Sequence, residues 1–337
     1  TNDADHNTFR NSNITVASDQ TSSNFAGFVI SGSLTSATTY GSGSDYNTLE
    51  NNVITGGYYG LTVLGESPDS TNGNVILNNT IQDFYYYGLY AYYHRDIDIV
   101  GNDISRATRT TITSFYGLRA YYGMNARIEG NRVHDPMGSD PTSTSTMYPF
   151  YGYYLDQSII ANNVLDNMNG DGTLYAFYLG YLSNTNVTHN TIVLDDDVHT
   201  GTNTPTTRGV YFVGSLTGGS FDNNIIYFDR AGGNPQMFYS TVSISNMDYN
   251  AYYIPSSSSA TFGYYSGTTV TDLASWQSAT GGDEHSVHLD PYFVDRANGD
   301  YTPQSSTLDG FGVDHTAILP IEYSGMVRNV PVHAGSI

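Results

Sequence analysis

A column of aromatic and charged residues recurs at one position of a repeated strand pattern in this sequence. That position is occupied in turn by Thr62, Tyr90, Arg119, Tyr154, Tyr178 and Tyr211. Two residues further, the same strand face carries Leu64, Tyr92, Tyr121, Asp156 and Gly180. Aromatic rings stack on the apolar faces of sugars, while hydroxyls and carboxylates bind sugar hydroxyls. The pattern therefore predicts a polysaccharide-binding strip made of Tyr90, Tyr92, Arg119, Tyr154, Tyr178 and Tyr211.

A second interpretation of the same column is structural. Tyrosine is a good strand residue, and aromatic pairs on adjacent strands stabilise a sheet. The excess of Tyr over Phe, 31 against 14, favours a wet binding surface over a dry stack.

Catalysis on a uronic acid polymer is the alternative chemistry for this region. A lyase needs a cation to neutralise the carboxylate and a base to take the C5 proton. Arg119 could be the cation and His94 or Tyr121 the base, with Asp156 on the same face. Other charged residues crowd the same stretch: Arg95, Asp96, Asp98, Arg106, Arg109, Arg127, Arg132, His134 and Asp135. The non-catalytic alternative for this cluster is a solvated row of ion pairs along one edge of the fold.

Glycoside hydrolysis would need two carboxylates some 5 to 10 Å apart. Candidates are Asp156, Asp166 and Asp171, and the triplet at 195–197, which lies beside His199 and is more typical of a solvated or calcium-binding turn. The paired-Asp, Gly-His-Gly and Arg-x-Lys phrases of pectin-hydrolysing proteins do not occur. The remaining histidines have no metal-ligand spacing, so we predict no zinc site and no required cofactor, and leave calcium open.

An asparagine phrase repeats along the chain and organises the rest. An apolar residue is followed three positions later by Asn and five positions later by Ile, Val or Leu. The Asn column comprises Asn52, Asn79, Asn102, Asn131, Asn163, Asn190 and Asn224, with Ser12 in the corresponding N-terminal position. Its spacing varies from about 23 to 34 residues, which fits a β-solenoid with insertions better than helical repeats. We expect these amides to form a hydrogen-bonded ladder, since Asn also tolerates sharp turns.

A Tyr-Gly-apolar phrase follows most of the Asn phrases. It occurs at 59–63, 87–91, 116–120 and 151–155, with variants at 175–179 and 208–212. Its period of two is the strand signal, so Leu61, Leu89 and Leu118 should point inward and the residue after each should point outward. A third run leads back to the Asn. Three short strands per repeat predict a three-sided solenoid.

These phrases resemble the parallel β-helix repeats of pectate-lyase-like proteins, and the resemblance covers roughly residues 5 to 250. The C-terminal phrases at 248–253, 272–277 and 290–294 are similar to the ends of many secreted bacterial β-helix proteins. The resemblance implies an all-β fold: a single right-handed parallel β-helix of roughly eight or more coils, with an irregular C-terminal cap. It implies no particular reaction.

The domain division follows from the extent of the repeats. We predict β-helix coils over 1–250, and final coils with a capping region over 251–337. The cap should contain one short helix over 272–279, which Thr271 or Asp272 can start and Gly281-Gly282 stops. This segment should cover the open end of the solenoid.

Composition excludes several functions. The net charge is −21 and all eleven basic residues are Arg, so binding to nucleic acid or to an anionic membrane is disfavoured. Highly anionic polysaccharides are disfavoured as well, unless Arg is focused locally or a cation bridges the charges. There is no Cys, which excludes disulfides and thiolate sites. No apolar run is long enough to span a membrane.

The sequence thus predicts an extracellular or cell-surface module that binds polysaccharide along its tyrosine strip, as part of a larger adhesin. The competing functions are a polysaccharide lyase or glycoside hydrolase, with its cleft over the central coils, and a structural stalk. An enzyme needs groove walls, which the turns at 104–115, 135–149 and 195–207 could supply. The oligomeric state stays open.

Overall fold

Three long sheets of stacked strands build the molecule. The structure, a computed structural model, describes residues 4–17, 19–195, 205–230, 232–244, 246–328 and 333–335. Within this part of the chain the sheets contain nine, ten and thirteen strands, and consecutive coils pair in parallel. The chain is an all-β, right-handed parallel β-solenoid of about eight turns, which confirms the predicted fold.

Two of the sheets consist of short strands that flank the Asn column. The pre-Asn sheet comprises Thr8–Arg10, Thr48–Glu50, Val75–Leu77, Asp98–Val100, Arg127–Glu129, Ile159–Ala161, Asn186–Thr188, Phe221–Asp222 and Met247–Asp248. The post-Asn sheet comprises Asn13–Thr15, Val53–Thr55, Thr80–Gln82, Asp103–Ser105, Arg132–His134, Val164–Leu165, Thr191–Leu194, Ile225–Phe228, Ala251–Tyr253 and Val287–His288.

The third sheet, here called the tyrosine sheet, has the longest strands. Its main path comprises Ala26–Ile30, Tyr59–Leu64, Tyr87–Arg95, Phe115–Met124, Met147–Asp156, Leu174–Gly180, Thr206–Phe212, Asn234–Ser240, Thr261–Tyr265 and Thr268–Val270. The short strands Thr71–Asn72, Leu182–Ser183 and Leu216–Thr217 extend it. Only its last pair, Thr261–Tyr265 with Thr268–Val270, is antiparallel in the described part of this sheet.

The Asn column forms the predicted ladder. Each Asn Oδ1 accepts from the backbone N–H and the Nδ2 of the Asn one coil earlier, with Nδ2···Oδ1 distances of 2.9–3.1 Å from Asn52 to Asn250. We expected the ladder Asn itself to adopt the left-handed conformation of the turn. Instead the residue before it does, for example Asn78 with φ 53° or Gly101 with φ 65°. The ladder position therefore requires Asn for its buried amide, whereas the preceding position requires a residue that tolerates a left-handed backbone.

The interior is a continuous apolar stack. Ile54, Ile81 and Ile104 of the post-Asn sheet are fully buried in one column, and Leu61 and Leu89 face them from the tyrosine sheet. The Tyr-Gly phrase has a steric cause. A Cβ at Gly88 would lie 2.6 Å from the Gly117 carbonyl oxygen and 2.7 Å from Ile104 Cγ2, so only glycine fits where the sheet turns over the core.

The helix Leu273–Thr280 closes the last coils. Asp272 accepts from the Ser275 N–H at its start, and Gly281 ends it in the left-handed conformation, so both predicted caps are confirmed. Trp276 is fully buried against Phe238, with ring centroids 4.8 Å apart, and donates its indole N–H to Asp283. The helix therefore packs on the apolar interior of the final coils.

Residues 290–328, here called the return segment, run back along the outside of earlier coils. This segment includes the antiparallel pair Phe293–Asp295 and Asp300–Pro303, and the 3-10 turns Arg296–Asn298 and Ser306–Leu308. Tyr301 donates to Asp166 over 2.8 Å, and Asn162 donates to the Ile321 carbonyl over 2.8 Å. These contacts lie at the Asn side of the solenoid and leave the outer surface of the tyrosine sheet uncovered by this segment. No helix within the described ranges is long and apolar enough to cross a membrane.

Replacing Asn131 with Ala should lower the free energy of unfolding by about 2–4 kcal/mol, because the buried amides of Asn102 lose their acceptor. Urea denaturation followed by circular dichroism measures this. The exposed Asn24→Ala is the matched control and should change the free energy by less than about 0.5 kcal/mol. Equal effects of the two substitutions would contradict the predicted contribution of the ladder to stability.

Candidate functional site

The outer surface of the tyrosine sheet, here called the tyrosine face, carries four columns of aromatic residues. The Gly-side column is Tyr59, Tyr87, Tyr116, Tyr148, Tyr175 and Arg208. The central column is Thr62, Tyr90, Arg119, Tyr151, Tyr178, Tyr211, Tyr239 and Tyr264. The outer column is Leu64, Tyr92, Tyr121, Tyr153 and Gly180. The corner column is Tyr93, Tyr122, Tyr154 and Tyr181.

The predicted register is wrong in one coil. Arg119 pairs with Tyr151, not with Tyr154, and Tyr121 pairs with Tyr153, not with Asp156. The deciding contact is inside: Phe150 takes the buried position and stacks on Phe177 with centroids 4.6 Å apart. The sequence phrase misled because Pro149 stands where other coils have Gly, while a later Tyr-Gly pair imitates the repeat. Tyr154 therefore belongs to the corner column, and Tyr90, Tyr178 and Tyr211 stay in the central one.

Neighbouring rings within the outer and corner columns stack face to face, whereas several neighbours in the other two columns, such as Tyr178 and Tyr211, are T-shaped. In the corner column the centroids are 4.7–4.8 Å apart and the planes differ by at most 10°. In the outer column Tyr92, Tyr121 and Tyr153 are spaced at 5.2 Å. This spacing reflects the separation of parallel strands. In these two columns the ring faces are consequently covered by neighbours, and the ring edges remain partly exposed.

The corner tyrosines have an unusual backbone. Tyr93, Tyr122, Tyr154 and Tyr181 all have φ between 49° and 53°. Bulky residues rarely adopt this left-handed conformation, which costs of order 1 kcal/mol or more. Here the stacked rings offset that cost, and Tyr154 and Tyr181 remain 39% and 44% exposed. The corner is thus the most accessible aromatic edge of the face.

Arg119 sits inside a cage of tyrosine rings. Its guanidinium carbon lies 4.8–5.6 Å from the centroids of five rings, those of Tyr87, Tyr90, Tyr116, Tyr121 and Tyr151. One Nη1–H donates to the Tyr87 hydroxyl over 2.5 Å. Among the described residues no carboxylate pairs with Arg119, and its Nε is buried without an acceptor. Cation–π contacts stabilise the charge without using its hydrogen-bond donors.

A smaller cage of the same kind surrounds Arg208. Its guanidinium carbon lies 3.4 Å from the Tyr239 centroid, 4.4 Å from that of Tyr211 and 5.3 Å from that of Tyr175. Sequence reasoning missed this residue. The signal was present, because Arg208-Gly209 replaces the aromatic residue of the Tyr-Gly phrase.

His94 is not available to a substrate. Its side chain is 1% exposed, faces the interior against Gly123, and neither ring nitrogen has a hydrogen-bond partner. Burial lowers the pKa of His94 to about 4, so the ring is neutral at pH 7. The proposed pairing of His94 with Arg119 is therefore wrong, because the corner residue Tyr93, with φ 49°, directly precedes His94 and reverses the alternation of the strand.

The remaining catalytic candidates are also not assembled into an acid–base pair. Burial raises the pKa of Tyr121 to about 12, which opposes its use as a base near neutral pH. Asp156 pairs with Met124 and Ser183, about five residues beyond the Arg119 position, so roughly 15 Å of strand separates them. A hydrogen bond from Ser183 lowers the pKa of Asp156, which keeps the carboxylate charged at the surface.

Most other charged residues of the predicted cluster have structural roles. Arg106 donates to the carbonyls of Tyr85, Thr113 and Pro136 and is fully buried, so it fastens the turns at 104–115 and 135–149 to the solenoid. Arg132 forms a two-point ion pair with buried Asp166 under the return segment.

Candidate acidic and metal sites gain no support from the described residues. The carboxylate of Asp166 already accepts hydrogen bonds from Arg132 and Tyr301. The carboxylates at 196–197 and His199 lie outside the described residues. No group of three or more His, Asp or Glu side chains in the described ranges could hold a metal ion. A cavity of about 620 Å³ opens at the first coil beside Phe9, Phe28 and Leu34, far from Arg119 along the solenoid.

The buried His94 makes stability depend on pH. Between about pH 6.5 and 4 the unfolded chain binds a proton at this residue that the folded chain does not, so folding stability falls as the pH is lowered through that window. The whole effect amounts to about 3 kcal/mol. His94→Met should therefore flatten the fall of the melting temperature between pH 6.5 and 4 relative to the wild type.

The exposed His6→Gln serves as the control and should leave the pH profile unchanged. His189 is also buried and its pKa is lowered, but it is present in all three proteins, so the difference isolates His94. Parallel melting curves for wild type and His94→Met would refute this assignment.

Comparison with known proteins gives a distant structural likeness alone. No family model matches the chain, and no curated protein matches it either. Among solved structures, one described as the complex structure of XylC with xylose is similar at a TM-score of 0.42 and 11% identity, over 87% of this chain. The chain spans 59% of that protein's length. By its own strand pairing, this chain is a three-sided, right-handed parallel β-helix.

Proposed function

We propose that this chain is a polysaccharide-binding module, secreted or displayed at a cell surface as part of a larger adhesin, and that the tyrosine face is its binding surface. The observation that carries the proposal is the segregation of the two aromatic residue types. Phe115, Phe150 and Phe177 occupy inward positions of the tyrosine sheet and are buried, whereas the four outward columns contain Tyr and no Phe.

Stacking between coils does not require this segregation. Phenylalanine rings stack as well as tyrosine rings, and the hydroxyl is the difference between them. In the outer and corner columns the rings are partly exposed, so their hydroxyls can donate and accept hydrogen bonds, whereas Tyr59 and Tyr90 are buried. A partly exposed aromatic surface of this kind is typical of an interaction site.

The contact with sugar differs from the one expected from sequence. Where ring faces are covered by neighbouring rings, as in the outer and corner columns, a glycan lying on the face meets ring edges and hydroxyls. The most exposed of these edges belong to Tyr154 and Tyr181 at the corner. The binding surface is therefore flat and rich in hydroxyls.

The structural stalk is the competing function, and the ring stacking favours it. A stalk needs stacked tyrosines and no ligand, and every outward column contains stacked pairs. The enzyme alternative is less well supported, since His94 is buried and Asp156 lies well away from Arg119. Binding and stalk differ in one property that can be measured, the need for the hydroxyls.

The triple substitution of Tyr92, Tyr121 and Tyr153 to Phe should weaken glycan retention at least about tenfold while leaving the melting temperature nearly unchanged, because stacking is kept and three hydroxyls are lost. Affinity electrophoresis through gels containing neutral or acidic polysaccharides measures retention. Tyr292→Phe, at an exposed position in the return segment, is the matched control.

Retention of the wild type by no polysaccharide in the panel would overturn the proposal and leave the stalk. Retention that the triple variant keeps in full would overturn the role of the tyrosine face. Release of unsaturated uronate ends or of reducing ends from a retained glycan would instead establish an enzyme.

A further inference from the structure

We propose that Arg119 is an anion-binding subsite within the tyrosine face, and that it takes the carboxylate or sulfate group of an acidic polysaccharide. The inference rests on the proposed glycan-binding function and names the substrate class. It begins from a comparison between Arg119 and the other arginines of the chain.

Most buried or half-buried arginines of this protein are satisfied by the protein itself. Arg106 and Arg109 donate to backbone carbonyls around them. Arg132 and Arg296 pair with carboxylates. Arg119 is half-buried, yet its only hydrogen-bond acceptor among the described residues is the Tyr87 hydroxyl. A guanidinium has five N–H donors; the Nε–H of Arg119 is buried and one Nη1–H is used by Tyr87, so the remaining Nη donors are left for a ligand.

An uncompensated cation at this depth has an energetic cost. Burial opposes the charged form, and a partly desolvated charge is normally balanced by an opposite charge. The five rings replace part of the lost hydration through their π electrons but supply no negative charge. An oxyanion approaching from solvent would supply it and could bind the planar fork in two-point fashion.

The surroundings make the subsite selective. The chain carries a net charge of −21, so a polyanion is repelled at long range. That repulsion is screened beyond about 8 Å at physiological ionic strength, whereas a contact inside the tyrosine cage is screened much less. Acidic groups are therefore recognised where a caged arginine lies and not along the whole surface.

Arg208 is placed to act as a second subsite on the same face. It lies three coils from Arg119, a separation of roughly 14 Å along the solenoid axis at the usual strand spacing. No acidic side chain of the described residues pairs with it, and its Nε is also buried without an acceptor. An acidic oligosaccharide can reach both residues, and a monosaccharide cannot.

The test uses the intact chain and compares retention in gels containing alginate, dextran sulfate, or neutral dextran and laminarin, at about 0.15 M ionic strength. Arg119→Met keeps an unbranched side chain in the cage and removes the charge. It should weaken retention by alginate or by dextran sulfate at least about tenfold, and weaken retention by neutral glycans much less. Which acidic polymer is retained by the wild type distinguishes a carboxylate from a sulfate ligand.

Arg95→Met is the matched control, since Arg95 is exposed on the same sheet beyond the corner and has no cage. It should change retention by acidic glycans less than about twofold. Arg119→Lys keeps the charge but loses the planar fork, and it should retain acidic glycans more weakly than the wild type. This variant also carries the test if Arg119→Met does not fold, which circular dichroism and the melting temperature would reveal.

Two results would overturn the subsite. One is retention of the wild type by neutral glycans but by neither acidic polymer, which leaves the binding face intact and removes its anionic specificity. The other is equal retention of wild type, Arg119→Met and Arg119→Lys by an acidic polymer. Retention by none of the four glycans would overturn both the subsite and the proposed function.

Discussion

The asparagine ladder is the constraint on which the rest of this structure depends. Each rung satisfies a buried amide with the rung of the next coil, and it does so at the strand spacing of a parallel sheet. Because a rung such as Asn131 bonds to the coils on both sides of it, the coils stay in register however long the turns between them become. Insertions are thereby confined to the turns, and every strand position is repeated in space.

That repetition determines the character of the tyrosine face. Once coils are in register, a residue type that recurs in sequence becomes a column at the spacing of the strands, and aromatic residues in such a column stack. Where rings stack face to face, as in the corner column, the stack covers their faces and leaves their edges exposed. It also means that an arginine in a column is enclosed by the rings above and below it, as Arg119 is. The same geometry that stabilises the solenoid therefore places a cation among phenols.

The fold could be predicted from sequence to a large extent, and the candidate site only in part. The ladder, the inward Leu61, Leu89 and Leu118, and both caps of the helix follow from local residue types and their period, so they were predicted and are confirmed. The column position of Tyr154 and the accessibility of His94 were predicted wrongly. The two errors have different origins: Pro149 hides the repeat phrase in the coil of Tyr154, and a corner tyrosine, Tyr93, shifts the alternation before His94.

By itself the sequence determined that this chain stacks irregular coils around an amide ladder, with tyrosine outside, because these features need only a repeated pattern of polar, apolar and turn residues. Tertiary structure decided which tyrosines share a column, that His94 faces the core, and that Arg119 has rings instead of a carboxylate around it. The physical reason is that these properties depend on which residues of different coils meet. Burial of Phe150 against Phe177 sets that register, and no local sequence pattern predicts this contact.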